Sequence, residues 1–126
     1  MPKRIAVVDD EECLCDLMKL ALVSRGYEVE CALDGKAGKE LVERIHPDLA
    51  IIDIQMPRMN GYELATQLRQ NTRTRGIPIL ILTSITDGSG KSDEHWRESM
   101  GVDGFLSKPV DLELLLDRIG ELVGNP

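Results

Sequence analysis

Five side chains in this sequence could handle a cation or a phosphoryl group, and they sit at the ends of four short apolar runs. Ile5-Ala6-Val7-Val8 ends on Asp9-Asp10, Leu49-Ala50-Ile51-Ile52 on Asp53, Ile79-Leu80-Ile81-Leu82 on Thr83, and Gly104-Phe105-Leu106-Ser107 on Lys108-Pro109. If the runs are parallel neighbours in one sheet, their carboxyl ends bring three carboxylates, a hydroxyl and an ammonium into one crevice, where open α/β sheets bind ligands. Clustered carboxylates repel one another, and a hard divalent cation relieves that repulsion. Mg²⁺ keeps several waters and typically takes one or two carboxylates plus a phosphate oxygen, which suits a shallow acidic crevice. A carboxylate can also attack phosphorus to give an acyl phosphate, with catalysis resting on positioning and charge neutralisation. Lys108 offers a mobile point charge for one phosphoryl oxygen, and the Thr83 hydroxyl can donate to another. Each residue has a plainer reading alone: an acid at a helix start, a β-branched strand residue, a solvated lysine. Those readings weaken when the residues occur as a set.

The elements that must position these groups are legible from periodicity. Apolar runs alternate with segments of helical period, the pattern of βαβ units around a parallel sheet. Leu14, Leu17, Met18, Ala21 and Leu22 mark one face of a first helix ended by Gly26, and a strand follows from about Tyr27 to Cys31. Asp34-Gly35 reads as a turn, and Ala37, Leu41 and Ile45 carry a helix that His46-Pro47 stops. After the strand Leu49 to Asp53, Met56 to Gly61 is a loop, with Asn60 or a neighbour capping a helix whose stripe includes Leu64, Ala65 and Leu68. Gly76-Ile77-Pro78 leads into the fourth strand. Thr86 to Ser92 is polar and glycine-rich, the expected mobile segment, before a short helix containing Trp96 and Met100. Leu112, Leu115, Leu116 and Ile119 form the face of a final helix that runs to about Val123. Gly61 needs either a positive φ or simple room at a helix start.

Composition narrows the function classes. A chain of 126 residues with 42% hydrophobic content is expected to be one domain, residues 1 to 126, without repeats or linkers. A net charge of -7 argues against direct nucleic-acid binding, since no segment supplies clustered Lys and Arg. No apolar stretch approaches the ~20 residues that span a bilayer, and no signal-peptide pattern opens the chain, so a cytoplasmic location without membrane insertion is expected. Cys13, Cys15 and Cys31 lack a zinc-ligand spacing and read as reduced, buried or inert thiols.

The ordered set Val7-Val8-Asp9-Asp10-Glu11, Asp53-Ile54-Gln55-Met56-Pro57-Arg58-Met59-Asn60-Gly61, Thr83 and Lys108-Pro109 closely resembles the receiver domain of bacterial two-component response regulators, over essentially the whole chain. The resemblance implies an α/β fold, a doubly wound flavodoxin-like (βα)5 domain with a five-stranded parallel sheet of order 2-1-3-4-5. It implies that Asp53 is the phosphoacceptor and that Mg²⁺ is the cofactor. Asp10, Asp53 and the backbone carbonyl of Gln55 would be its direct ligands, and Asp9 would act through water. Thr83 and Phe105 would be the switch pair, and Pro109 would follow a cis bond that helps to aim Lys108 inward. The output surface would include Trp96. The phosphodonor would be a histidine on a kinase or phosphotransfer protein docking near Cys13 to Met18, rather than His46 or His95.

On this reading the chain is no conventional enzyme. It catalyses its own aspartyl phosphorylation and dephosphorylation and regulates a downstream protein, as a monomer or a phosphorylation-dependent dimer. It resembles a stand-alone receiver, although a piece of a hybrid kinase or longer regulator would look the same. The alternative is a receiver-like interaction module that works without phosphorylation. A hydrolase with an aspartate nucleophile would place an acid two residues later, where Gln55 stands. Ser84 after Thr83, Gln55 and Asn60 depart from the usual family residues, and the stretch around Gly88-Ser89-Gly90 lengthens the segment between Thr83 and Lys108.

Overall fold

The β-branched and leucine-rich runs become strands because an uninterrupted apolar run can be covered on both faces of a parallel sheet. The computed structural model describes residues 2–83 and 101–124. Its strands are β1 (Arg4–Val8), β2 (Glu28–Ala32), β3 (Leu49–Asp53), β4 (Ile79–Thr83) and β5 (Gly104–Ser107). They pair in parallel, as the alternation of runs and helical segments predicts, in the order β2-β1-β3-β4-β5 that the resemblance implies. The described helices are α1 (Glu12–Ser24), α2 (Gly35–Ile45), α3 (Gly61–Gln70) and α4 (Leu112–Val123).

Alternation along each strand divides the core in two. Ala6, Val8, Ala50, Ile52, Ile79 and Ile81 face α2 and α3, meeting Leu41, Val42, Leu64 and Leu68. Ile5, Val7, Leu49, Ile51, Leu80 and Leu82 face α1 and α4, meeting Met18, Leu22, Leu115 and Ile119. The register then sets the ends of the strands within two residues of one another. Val8 lies beside Ile52, Asp53 beside Leu82, and Thr83 beside Ser107. β1 thus ends level with Ile52, β3 runs one residue further to Asp53, and β4 one further again to Thr83, so the chain leaves all of them at the same edge of the sheet.

Local chemistry fixes where the helices start and stop. Asp34 accepts from the Ala37 amide at 2.7 Å and Asn60 from the Glu63 amide at 2.8 Å, each satisfying an otherwise orphaned N–H. Asp111 does the same for Glu113 and Leu114. α2 stops where His46 enters the left-handed region at φ 46°, ahead of Pro47. At Gly61 the requirement is room: a Cβ there would stand 2.7 Å from the Ile54 Cα and 2.9 Å from the Asp53 carbonyl carbon, which are rigid backbone.

Three local readings need correction. Leu17 is 49% exposed, and Cys15 takes the buried place on α1 beside Met18 and Leu22. Leu14, Leu17, Met18 and Leu22 span an arc wider than the contact with the sheet, so its outer member faces solvent. Gly35 is the first residue of α2 rather than part of a turn, because Asp34 already caps the helix. β2 starts at Glu28, one residue after the expected Tyr27. The segment Thr86 to Ser92, Ser84, His95, Trp96 and Met100 lie outside the described residues.

Candidate functional site

Because β1 and β3 are adjacent and in register, Asp9, Asp10 and Asp53 converge at the carboxyl edge. Each contributes an oxygen to a group whose members all lie within 4.8 Å of one another. Asp9 and Asp53 are buried and Asp10 is exposed, so the cluster forms one wall of a crevice open to solvent. Local backbone bonds hold the buried pair. Asp9 Oδ1 accepts from the Glu11 amide at 2.9 Å, and Asp53 Oδ1 accepts from the Gln55 amide at 3.1 Å. The remaining Oδ2 of each acid points toward Lys108.

Lys108 reaches the cluster from the far side of the sheet. Its own amide donates to the Thr83 carbonyl at 2.8 Å, and the Lys108–Pro109 peptide is cis. The Nζ lies 3.2 Å from Asp9 Oδ2, 3.2 Å from Asp53 Oδ2 and 3.1 Å from Glu11 Oε1. One ammonium is thus shared among three carboxylates. The electrostatics follow from that count. Burial pushes the Asp53 carboxyl up to about 6, aided by the negative charge of Asp9 and opposed by the Gln55 amide and Lys108. Burial would pull Lys108 down, but Glu11, Asp9 and Asp53 outweigh it and hold its pKa above the ordinary lysine value.

The site has an excess of acceptors over donors. Asp9 Oδ2 is buried and has no hydrogen-bond partner among the described residues, meeting Lys108 only as an ion pair. A buried acceptor without a donor is costly, and a cation or an ordered water relieves it. The cluster therefore suits a hard cation with oxygen ligands.

The other expected site residues lie where the sheet puts them. Thr83 is half-buried at the end of β4 beside Ser107, and Phe105, half-buried on β5, packs against the α2 and α3 side of the core. Gln55 follows β3, its amide engaged with Asp53. Two participants escaped the sequence reading. Glu11 completes the Lys108 contacts, and its adjacency to the acidic pair was the available signal. Cys15 donates from Sγ to the Asp9 carbonyl at 3.2 Å, a contact that no local spacing announces.

Comparison with known proteins agrees with this geometry. The family model described as the response regulator receiver domain matches residues 5–120. The DNA-binding dual master transcriptional regulator RpaA of Synechocystis is 34% identical over 120 residues, covering 95% of this chain and 48% of that protein. Response regulator MprA of Mycobacterium leprae is 38% identical over 120 residues, covering 95% of this chain and 50% of its own. The chain thus spans about half the length of these two relatives. Among solved structures, chemotaxis protein CheY4 of Vibrio cholerae superposes with a TM-score of 0.87 at 29% identity, covering 97% of this chain and 99% of that one.

Proposed function

This chain belongs to the response regulator receiver domain family, a signalling module rather than a conventional enzyme, and from that membership we propose that Asp53 is its phosphoacceptor. The observation that carries the proposal is the meeting of Lys108 Nζ with Asp53 Oδ2 at 3.2 Å, inside a cluster of three convergent carboxylates. Two-component receivers are served by histidine kinases, so the donor is a phosphohistidine on a kinase or phosphotransfer protein. The unit proposed to act is residues 1 to 126 as one receiver domain.

Asp10, Asp53 and the Gln55 carbonyl would hold Mg²⁺, with Asp9 acting through water. Bound there, the ion would neutralise charge on the phosphoryl oxygens. In the transfer itself an oxygen of Asp53 bonds to phosphorus as the bond from phosphorus to the donor nitrogen breaks, and the electron pair leaves with the imidazole. Lys108 exchanges a carboxylate contact for a phosphoryl oxygen, and the Thr83 hydroxyl donates to another. Phosphorylation adds roughly -1.5 to -2 charge at that point, and movement of Thr83 toward it would let Phe105 turn inward. The output is regulation of a protein partner, without direct nucleic-acid contact by these residues.

The test is intact-mass analysis after incubation with a small acyl phosphate, with and without Mg²⁺, on the native chain and on Asp53→Ala. A metal-dependent gain of one phosphoryl group that the variant loses is the expected result. Equal labelling of Asp53→Ala would overturn the assignment. No labelling of the folded native chain would favour an interaction module that works without phosphate.

A further inference from the structure

Beside the acidic crevice two thiols that lie far apart in the sequence have been brought together. Cys15 is buried on the sheet-facing side of α1, and Cys31 is half-buried on the edge strand β2, packed against the same part of the core. Cys31 Sγ lies 3.7 Å from the Cys15 carbonyl oxygen, to which it donates. Cys15 Sγ also reaches the Asp9 carbonyl at 3.2 Å. Cys13, on the same helix, is exposed and takes no part in this cluster.

We propose that Cys15 and Cys31 form an oxidisable thiol pair, which hydroperoxides close into an intramolecular disulfide fastening α1 to the edge strand next to the crevice. Access divides the roles. Cys31 is partly open to solvent and can meet a peroxide, whereas Cys15 is shielded and can react only with its neighbour. The thiolate is the reactive form of cysteine. The neighbouring Cys15 side chain, with Lys19 adding its charge, holds the Cys31 thiol below its ordinary value against burial and the charges of Asp16 and Asp9.

The chemistry balances without a metal. The Cys31 thiolate attacks one peroxide oxygen, the O–O bond breaks, and the departing alkoxide or hydroxide takes up a proton. Cys31 is left as a sulfenic acid. Cys15 sulfur then bonds to Cys31 sulfur as the S–O bond breaks, and the hydroxyl leaves as water with the Cys15 proton. Two thiols are oxidised to one disulfide, and one peroxide is reduced. The S–H that the Asp9 carbonyl accepted is consumed in the process, so oxidation reaches the residue that lines the crevice.

The experiment uses the full chain carrying Cys13→Ser, treated with hydrogen peroxide and examined by intact mass and tryptic mapping. The expected result is a loss of about 2 Da, the two thiol hydrogens. It should be accompanied by a cross-link joining the peptide that begins at Ile5 to the one that begins at Gly26, both reversed by dithiothreitol. Adding Cys31→Ser abolishes the loss, and adding Cys15→Ser instead strands Cys31 as a sulfenic acid that dimedone traps. If the Cys15 variant fails to fold, the Cys31 variant still decides the matter. Oxygen addition without the 2 Da loss, or both thiols still alkylating after peroxide, would overturn the proposal. A second readout rests on Asp53 being the phosphoacceptor: oxidation should shift the Mg²⁺ concentration for half-maximal labelling at least twofold. An unchanged midpoint would disconnect the thiol pair from the crevice, while the cross-link is read independently of any phosphorylation.

Discussion

Asp53 carries an electrostatic burden that its variants should reveal. Its carboxyl is raised to about 6 because burial disfavours the charge and one ammonium serves three acids. A carboxyl with a raised folded-state pKa favours folding most below its unfolded value of 3.8, and that advantage is lost as pH climbs through about 6. In chelator, the native chain should therefore lose stability between about pH 4 and pH 6.5 from this group, by up to ~3 kcal/mol. Asp53→Asn should flatten that part of the profile and be the more stable protein at pH 7, as urea unfolding across the pH range would show. A native chain whose stability rises over that window relative to the variant would refute the reasoning. Lys108 has the opposite role. Lys108→Ala leaves Asp9 and Asp53 buried without a counter-charge and should cost ~1–3 kcal/mol in chelator, less than a fully buried pair because the crevice is open to water. Millimolar Mg²⁺ should recover more stability for this variant than for the native chain, because a cation can take over the neutralisation.

At the level of elements, what the sequence made legible was whatever repeats locally, and what it concealed was whatever the fold joins from afar. Strand-end acids, helix stripes and the Asn60 cap follow from adjacent residues, so they could be read directly. Gly61 admitted two readings, and only the neighbouring backbone of β3 separates them. Arg69 gave no signal at all. From α3 it donates to the Gly101 carbonyl at 2.8 Å, the Arg75 carbonyl at 2.8 Å and the Ile77 carbonyl at 2.7 Å, and pairs with Asp103 at 3.2 Å. It thereby ties α3 to the approaches of both β4 and β5, which lysine cannot imitate with a single point charge. Arg69→Lys should accordingly lose most of what Arg69→Ala loses, measured as unfolding midpoints. The glycines supply a sharper contrast. Gly61→Ala forces a Cβ against backbone at the exit of β3 and should cost ~1–3 kcal/mol. Gly120→Ala, inside α4 with nothing within 4 Å of the added carbon, should gain ~0.5–1 kcal/mol. If both variants behaved alike, close approach at Gly61 would not be the reason for that residue.

For the molecule as a whole, the decisive fact is that the acidic cluster exists only when the sheet is assembled. Asp9 and Asp10 follow β1 while Asp53 closes β3, and their oxygens come within 4.8 Å only because Ile5 to Val8 pair with Leu49 to Ile52. The composition already showed an acidic chain, but a net charge of -7 does not say where the charge gathers. Register does, and register is a property of the whole sheet. A cation held by this cluster must therefore bind the folded chain and have little affinity for the unfolded one. Its stabilisation should grow as RT ln(1 + [Mg²⁺]/Kd), about 1.4 kcal/mol for each tenfold increase in concentration above Kd. Calorimetric melts of the native chain from micromolar to tens of millimolar Mg²⁺ should show a Tm flat at first and then rising steadily with log concentration. Asp10→Ala, which removes an exposed acid and no core packing, should remove most of that rise while leaving the melt in chelator nearly unchanged. A matched concentration series of a monovalent salt separates specific binding from general screening of an acidic protein. If sodium at equal ionic strength reproduced the rise in the native chain and in Asp10→Ala alike, the cluster would be acting only as a diffuse source of repulsion, and its assignment as a cation site would fall.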